Sequence, residues 1–218
     1  HMTTQSLVTV LAATAKGTST LVDYTTSAAT PTFTNNAPAS RTVTGIPGCA
    51  VYPGLDLFTT PGNGSTYEDF SSTPIPADFF DPGSDPFTGV VTFQGLPLAP
   101  LSPLGPTDTV VERLAAATFP NPSDAANIPI EIVALHLVSI NPITVTFNGG
   151  FNPEQWQVGV CLSSAAPQQQ GFMDLRRGQC DCAEGGTFNS VLPVLPKLVF
   201  TRTLPFPAVR IFDFGAEA

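Results

Sequence analysis

The densest group of side chains able to do chemistry lies in "DFFDPGSDPF", residues 78–87. Asp78, Asp81, Ser84 and Asp85 place four oxygen-bearing side chains in this short stretch. Calcium takes about six to eight oxygen ligands, which carboxylates and turn carbonyls can supply together. The segment therefore predicts a Ca²⁺ site built from these four residues, and no other cofactor is required. The spacing is not that of an EF-hand loop, so the prediction rests on composition.

The same ten residues are also typical of tight turns. In Asp-Pro-Gly and Ser-Asp-Pro, the Asp side chain caps its own backbone and the proline presets φ. The phenylalanines would then anchor a long loop on the protein core. This interpretation needs no metal, and it competes directly with the calcium site.

A second candidate site is the short run Tyr67, Glu68 and Asp69. An aromatic face beside carboxylates is typical of sugar binding, so we expect these residues to contact a ligand. A glycosidase would need two carboxylates about 5 to 10 Å apart across a cleft. Glu68 or Asp69 could form such a pair with one of three other acids, Asp78, Asp81 and Glu154.

Other catalytic signals are missing from the sequence. Apart from His1, the only histidine is His136, which lies in the apolar run "EIVALHLVSI" and so is expected in the core. There is no G-x-S-x-G elbow and neither of the glycine-rich phosphate-binding patterns. These absences favour a protein that is not an enzyme and give no catalytic residues.

The four cysteines form an even set, Cys49, Cys161, Cys180 and Cys182. Two disulfides in an oxidising compartment are the favoured interpretation, although four cysteines allow three pairings. We expect Cys161 to pair with Cys180 or Cys182, and Cys49 with the other one. Zinc is disfavoured because "CDC" does not fit the usual C-x₂₋₄-C spacing.

Charge and hydropathy exclude several kinds of partner. Only 11% of the residues are charged and the net charge is −9, which argues against nucleic acid and against an anionic membrane surface. No apolar run reaches about 18 residues, so no membrane span is expected. The partners left open are a glycan, another protein or a second copy of the chain.

The hydrophobic pattern predicts an all-β protein. Seven β-branched or aromatic runs are bounded by Gly, Pro and Asn: 89–95, 108–114, 128–140, 143–148, 155–163, 197–204 and 209–214. We therefore expect an antiparallel β-sandwich, jelly-roll or Ig-like, with little helix and long irregular loops. His1 and Met2 are expected to be a cloning remnant, and residues 3–218 one domain, in which 3–45 form an N-terminal strand plus a linker.

Taken together, these features predict a non-catalytic structural or binding module of a secreted or cell-surface bacterial protein, stabilised by calcium if the acidic loop binds it. Two alternatives stay open. One is a secreted carbohydrate-active enzyme with a carboxylate pair. The other is a subunit that assembles into a surface layer or filament through its sheet edges.

Overall fold

The structure is a computed structural model that describes residues 17–19, 49–99, 105–119, 125–177 and 186–216. These residues form antiparallel strands, turns and bends, with no helix. The predicted all-β class is confirmed. The cloning remnant and nearly all of residues 3–45 lie outside the described residues, apart from one short strand, and the single-domain prediction remains a prediction.

The described residues contain fourteen strands. In chain order they are β1 (Gly17–Ser19), β2 (Cys49–Val51), β3 (Gly54–Phe58), β4 (Thr66–Asp69), β5 (Val90–Gly95), β6 (Thr109–Arg113), β7 (Ala117–Phe119), β8 (Ala125–Ser139), β9 (Ile143–Phe147), β10 (Phe151–Leu162), β11 (Gly171–Arg177), β12 (Gly186–Val191), β13 (Pro196–Arg202) and β14 (Ala208–Asp213).

Twelve of these strands join in one sheet, and β2 pairs with β7 in a second sheet. The 15-residue β8 is the strand that the two parts of the large sheet share. Along β8, β11 pairs with residues 125–130 and β6 with residues 130–135, while the last part lies between β10 and β5. The path through the sheet runs β1-β12-β11-β8-β10-β13-β14, so β14 is at one end of it.

A β-bulge in β8 changes which residues face the core. Val110 pairs with Ala134 and Val111 with Ile132, so Val133 is an extra residue on β8. The extra residue shifts the alternation by one position. Even-numbered residues are buried before the bulge, and odd-numbered residues such as Leu135 are buried after it.

The core consists of two hydrophobic clusters, one beside each part of β8. The first cluster is the larger and contains Trp156, Phe80 and Phe200, all with 0% exposure. The second cluster contains Ile130, Met173 and other side chains from β6, β7, β8, β11 and β12. Because both clusters touch β8, this strand holds the two parts of the protein together.

Strands β9 and β10 form the hairpin that Asn148-Gly149 predicts. Asn148, Gly149 and Gly150 all have positive φ, at 50°, 83° and 104°. Asparagine tolerates this conformation better than most residues, and glycine adopts it without strain. The register shifts between Phe151 and Glu154, so β10 contains an irregularity soon after the turn.

All seven predicted strands are present, in β5, β6, β8, β9, β10, β13 and β14. Five further strands were missed in the region after residue 50: β3, β4, β7, β11 and β12. Several of these are short or rich in glycine and polar residues, so their hydrophobic pattern is weak.

Candidate functional site: a charged cluster beneath an apolar hairpin

The acidic loop, residues 78–87, is a series of turns. Asp78 has φ of 64°, and its Oδ1 accepts a hydrogen bond from the Gly83 backbone N–H at 2.6 Å. The Asp78 N–H donates to the Ser84 carbonyl at 3.0 Å, and the Ser84 N–H donates to the Asp81 carbonyl at 2.9 Å. The segment therefore closes on itself through the side-chain and backbone bonds that its turn chemistry predicts.

Asp85 joins the acidic loop to the β9–β10 turn. Its carboxylate accepts hydrogen bonds from the N–H groups of Gly149 and Gly150, both at 2.8 Å, and from Thr146 Oγ1 at 2.7 Å. The Gly149 bond and then the Thr146 bond lower the pKa of Asp85 below its ordinary value of 3.8, because they favour the ionised form. Asp85 is thus a clip between two turns.

Two phenylalanines of the same loop fill the first cluster. Phe80 is fully buried, with its ring centroid 5.1 Å from that of Trp156 and 5.2 Å from that of Phe200. Phe79 packs edge-on against Phe200 and Phe212, at 5.6 and 5.7 Å. Such tilted and edge-to-face contacts are the favoured geometry for aromatic pairs. The loop is therefore anchored firmly enough to hold Asp81 in a fixed position.

Asp81 meets two arginines from the last hairpin of the chain. Its Oδ2 lies 2.8 Å from Nη1 of Arg202, and its Oδ1 accepts from Nη2 of Arg210. The same Nη1 of Arg202 also donates to Glu154. Burial acts against the charge of Arg202, but Glu154 and Asp81 outweigh it and raise the pKa of this guanidinium. Two acids and two cations therefore share one partly buried network.

The only tryptophan of the chain lies directly below this network. The Arg202 guanidinium carbon is 4.9 Å from the Trp156 ring centroid, and that of Arg210 is 6.0 Å away. A guanidinium within about 6 Å of an indole face gains a cation–π interaction. We call Asp81, Glu154, Trp156, Arg202 and Arg210 the charged cluster.

The charged cluster fixes the base of the β13–β14 hairpin, whose tip is residues 203–207. Nε of Arg202 donates to the Phe206 carbonyl at 2.9 Å, so the buried guanidinium holds the tip directly. Leu204 and Phe206 on this tip are 76% and 74% exposed. Val209 and Ile211, on β14, are 54% and 57% exposed. We call these four side chains the apolar arm.

The apolar arm stands out among the described residues. Six large hydrophobic side chains are more than half exposed, and four of them belong to it. β14 pairs with β13 on one side and has no strand partner on the other within the described ranges. Exposed apolar side chains beside an open strand edge are typical of an association surface.

The predicted calcium ligands do not converge in this structure. Asp81 points to arginines, Asp85 binds backbone N–H groups, and the Ser84 hydroxyl is buried without a hydrogen-bond partner. In the described part of the chain, no three His, Cys, Asp or Glu side chains are grouped closely enough to hold a metal ion. Calcium binding by these residues stays a prediction that no contact here supports.

The second predicted site is divided between the two faces of β4. Tyr67 is 42% exposed, whereas Glu68 is 3% exposed. Asp69 lies at the surface and accepts a hydrogen bond from the Ser71 N–H at 2.9 Å, which lowers its pKa. Glu68 therefore cannot share an exposed binding face with Tyr67 in this conformation.

The arrangement does not favour a pair of catalytic carboxylates. Asp81 and Glu154, which do come together, are both bound to Arg202. A glycosidase acid needs a raised pKa beside a second, ionised carboxylate. Among the described residues, two carboxyl groups have a raised pKa. Glu68 points into the core beside the neighbouring Asp69, and Asp56 is paired with Arg113.

Of the four cysteines, only Cys161 has a described side chain, and its sulfur is not bonded to any described residue. Its Sγ contacts the Lys197 carbonyl at 3.9 Å. Cys180 and Cys182 lie outside the described residues, and Cys49 is described only as a backbone position in β2. The predicted disulfides therefore stay predictions.

Comparison with known proteins gives no further assignment, since no protein-family model, curated protein or solved structure matches the chain. No helix in the described part of the chain is long and apolar enough to cross a membrane. The functional interpretation therefore depends on the geometry above.

The sequence analysis named Asp81 and Glu154 as candidate site residues, but it missed the two arginines that bind them. Arg202 lies 121 positions from Asp81 along the chain, and Arg210 lies 129 positions from it. Neither pairing leaves a local pattern. The run "LPFP", residues 204–207, does carry a usable signal. Its two large apolar residues lie in a proline-rich turn, which indicates that their side chains are exposed.

Proposed function

We propose that this protein is a non-catalytic, extracellular structural module that associates with a second copy of itself through β14 and the apolar arm. The observation that carries the proposal is the apolar arm on an open strand edge. An open edge presents unpaired backbone N–H and C=O groups, which a second strand can satisfy. Burying the four side chains would add the hydrophobic contribution.

Charge favours a second copy as the partner. The chain carries a net charge of −9, so most approaches between two copies are repulsive. The hairpin is an exception, since two acids balance two arginines in the charged cluster. Lys197 and Asp213 are also directly opposite each other on β13 and β14. The arm is therefore a nearly neutral surface on an acidic protein.

The strand pattern also selects a register. When two β14 strands pair antiparallel, a residue that faces the core in one copy must lie opposite a residue that faces the core in the other. Odd-numbered residues therefore pair with odd-numbered residues, and even-numbered with even-numbered, so that both copies have their cores on the same face of the joined sheet. A twofold axis at Arg210 would oppose like charges, which is unfavourable. An axis at Ile211 places Ile211 opposite Ile211, so we expect this register and an isologous interface.

Amide hydrogen exchange on β14 tests the interface directly. We expect the β14 amides that do not bond to β13 to be protected in concentrated protein and to lose protection on dilution. Amides in β8, which lies inside the sheet, are the internal control and should not change. Equal exchange of the β14 amides at all concentrations would overturn the proposed interface.

The extracellular location and the finer fold are part of the same proposal. Four cysteines and a surface with few ions are the features that support secretion. We also propose that the twelve-stranded sheet folds over as a β-sandwich. The support is that the two clusters lie beside different parts of β8.

A further inference from the structure

Glu68 is a buried acid that the proposed assembly does not use. It is 3% exposed, and its Oε2 has no hydrogen-bond partner among the described residues. It pairs across the strands with Val91, and the neighbouring inward residue Thr66 pairs with Phe93. Both Val91 and Phe93 belong to the first cluster, so the carboxyl group faces apolar side chains.

The strand that carries Glu68 is weakly held. β4 pairs with β5 through four residue pairs and, in the described ranges, with no other strand. Beyond it, the Phe70 N–H donates to the Gly89 carbonyl at 3.1 Å. Edge strands with so few contacts open at lower free energy than central strands. β4 is thus a short cover over one edge of β5.

Among the described residues, no cation lies close enough to Glu68 to affect its ionisation, and the charge that does act on it is that of Asp69. β5 and β9 contain no ionisable residues. The loop between β4 and β5 carries three acids and no cation, and Asp69 on β4 itself is also negative. Burial, with a smaller contribution from the Asp69 charge, raises the pKa of Glu68 to about 8. The carboxyl group is therefore protonated in the closed strand at neutral pH.

We propose that β4 is a pH-dependent cover: loss of the Glu68 proton opens β4 and exposes the edge of β5. A carboxylate in an apolar site without a partner is costly, whereas an opened strand lets water solvate it. The bared edge would be a second strand-pairing edge, distinct from β14. This inference does not depend on the proposed self-association.

The direction of the pH effect follows from proton linkage. The folded-state pKa of Glu68 is raised from an ordinary value of 4.5 to about 8, so the closed form holds its proton where the opened form has lost it. The closed form is therefore favoured below pH 4.5, and this preference is lost as the pH rises to about 8. Within that window the open fraction can grow by up to about tenfold for each pH unit.

The test is the protection factor of β4 and β5 amides at pH 6 and pH 8, corrected for the intrinsic pH dependence of exchange. In the wild type we expect the protection factors of β4 amides to fall roughly tenfold or more from pH 6 to pH 8, while those of β13 amides stay unchanged. Glu68→Gln keeps the shape without the titrating group, so its β4 protection should not depend on pH. Asp69→Asn is the matched control and should retain the dependence.

Two results would overturn the inference. One is wild-type β4 protection that is the same at both pH values or changes in parallel with β13. The other is an equal pH dependence in the Glu68→Gln variant. If that variant does not fold, the comparison of β4 with β13 in the wild type still decides.

Discussion

At the scale of single residues, two arginines are buried for different purposes. Arg202 serves the charged cluster, whereas Arg113, only 1% exposed, serves the other part of the molecule. Arg113 Nε lies 3.0 Å from Oδ2 of Asp56, and its Nη1 donates to the Tyr52 carbonyl at 2.5 Å. Burial raises the pKa of Asp56 to about 6, although the charge of Arg113 opposes the shift.

The two partners of this ion pair should differ in their mutational cost. Asp56→Ala leaves a buried guanidinium that cannot lose its proton, so we expect a loss of about 3 to 5 kcal/mol in the free energy of unfolding. Arg113→Met leaves a carboxyl group that can bind a proton. The loss in free energy of unfolding caused by Arg113→Met should therefore be smaller at pH 5 and larger at pH 8.

Urea unfolding of both variants at the two pH values measures this difference. The sign follows from Arg113, which opposes the burial that raises the pKa of Asp56 to about 6. Without Arg113 the folded protein holds this proton to a higher pH than the wild type does, so the extra loss of stability develops as the pH rises above about 6. An Arg113→Met cost that is the same at both pH values would contradict the interpretation.

What the sequence shows about residues depends on how local their partners are. The turn chemistry of residues 78–87 is readable because Asp78 binds Gly83, five positions away. The role of Asp81 is not readable, because its partner Arg202 lies on a distant strand that only the fold brings near. The burial of Glu68 was also not predictable, since "TYED" reads as a polar, exposed run.

At the scale of elements, the clip made by Asp85 holds two turns together. We expect Asp85→Asn to lower the melting temperature near neutral pH, because an amide cannot accept all three hydrogen bonds as strongly as a carboxylate. The lowered pKa means that this contribution is present above pH 3.8 and is lost as the pH falls further.

Thermal melts of Asp85→Asn at neutral and strongly acidic pH give the test, with Asp69→Asn as the matched control. Asp69 also has a lowered pKa but caps only its own turn through Ser71. At neutral pH the melting temperature of the Asp85 variant should therefore fall further below the wild type than that of the Asp69 variant. At strongly acidic pH the difference between the two variants should become smaller. Equal melting temperatures of the Asp85→Asn and Asp69→Asn variants at neutral pH would contradict a stabilising role for Asp85 between the two turns.

The elements themselves were predictable where a strand carries a strong hydrophobic run. β8 is such a case. Strict alternation along β8 would place Ile132 and Leu135 on opposite faces of the strand, whereas both are buried in the same cluster. The reason is the bulge at Val133, which depends on how β6 pairs with β8. The local sequence therefore predicts that a strand forms. Which of its residues are buried depends on how the strand pairs with its neighbour.

At the scale of the whole molecule, the distribution of charge matters more than its total. The protein is acidic overall, but its β13–β14 hairpin is nearly neutral. Among the described residues, this hairpin carries four of the six large apolar side chains that are more than half exposed. The buried Arg202 keeps that surface in place by holding the Phe206 carbonyl. This combination is the basis on which we propose an assembly role.

The measurement that tests this account most directly is sedimentation equilibrium over a concentration series. We expect the wild type to pass from monomer to dimer, and Ile211→Lys to remain monomeric, because a lysine at the twofold axis opposes a second lysine. Val191→Lys is the matched control, since Val191 is 42% exposed at the end of β12, and it should dimerise normally. A wild type that stays monomeric at every concentration, or an Ile211→Lys variant that dimerises like the control, would contradict the account.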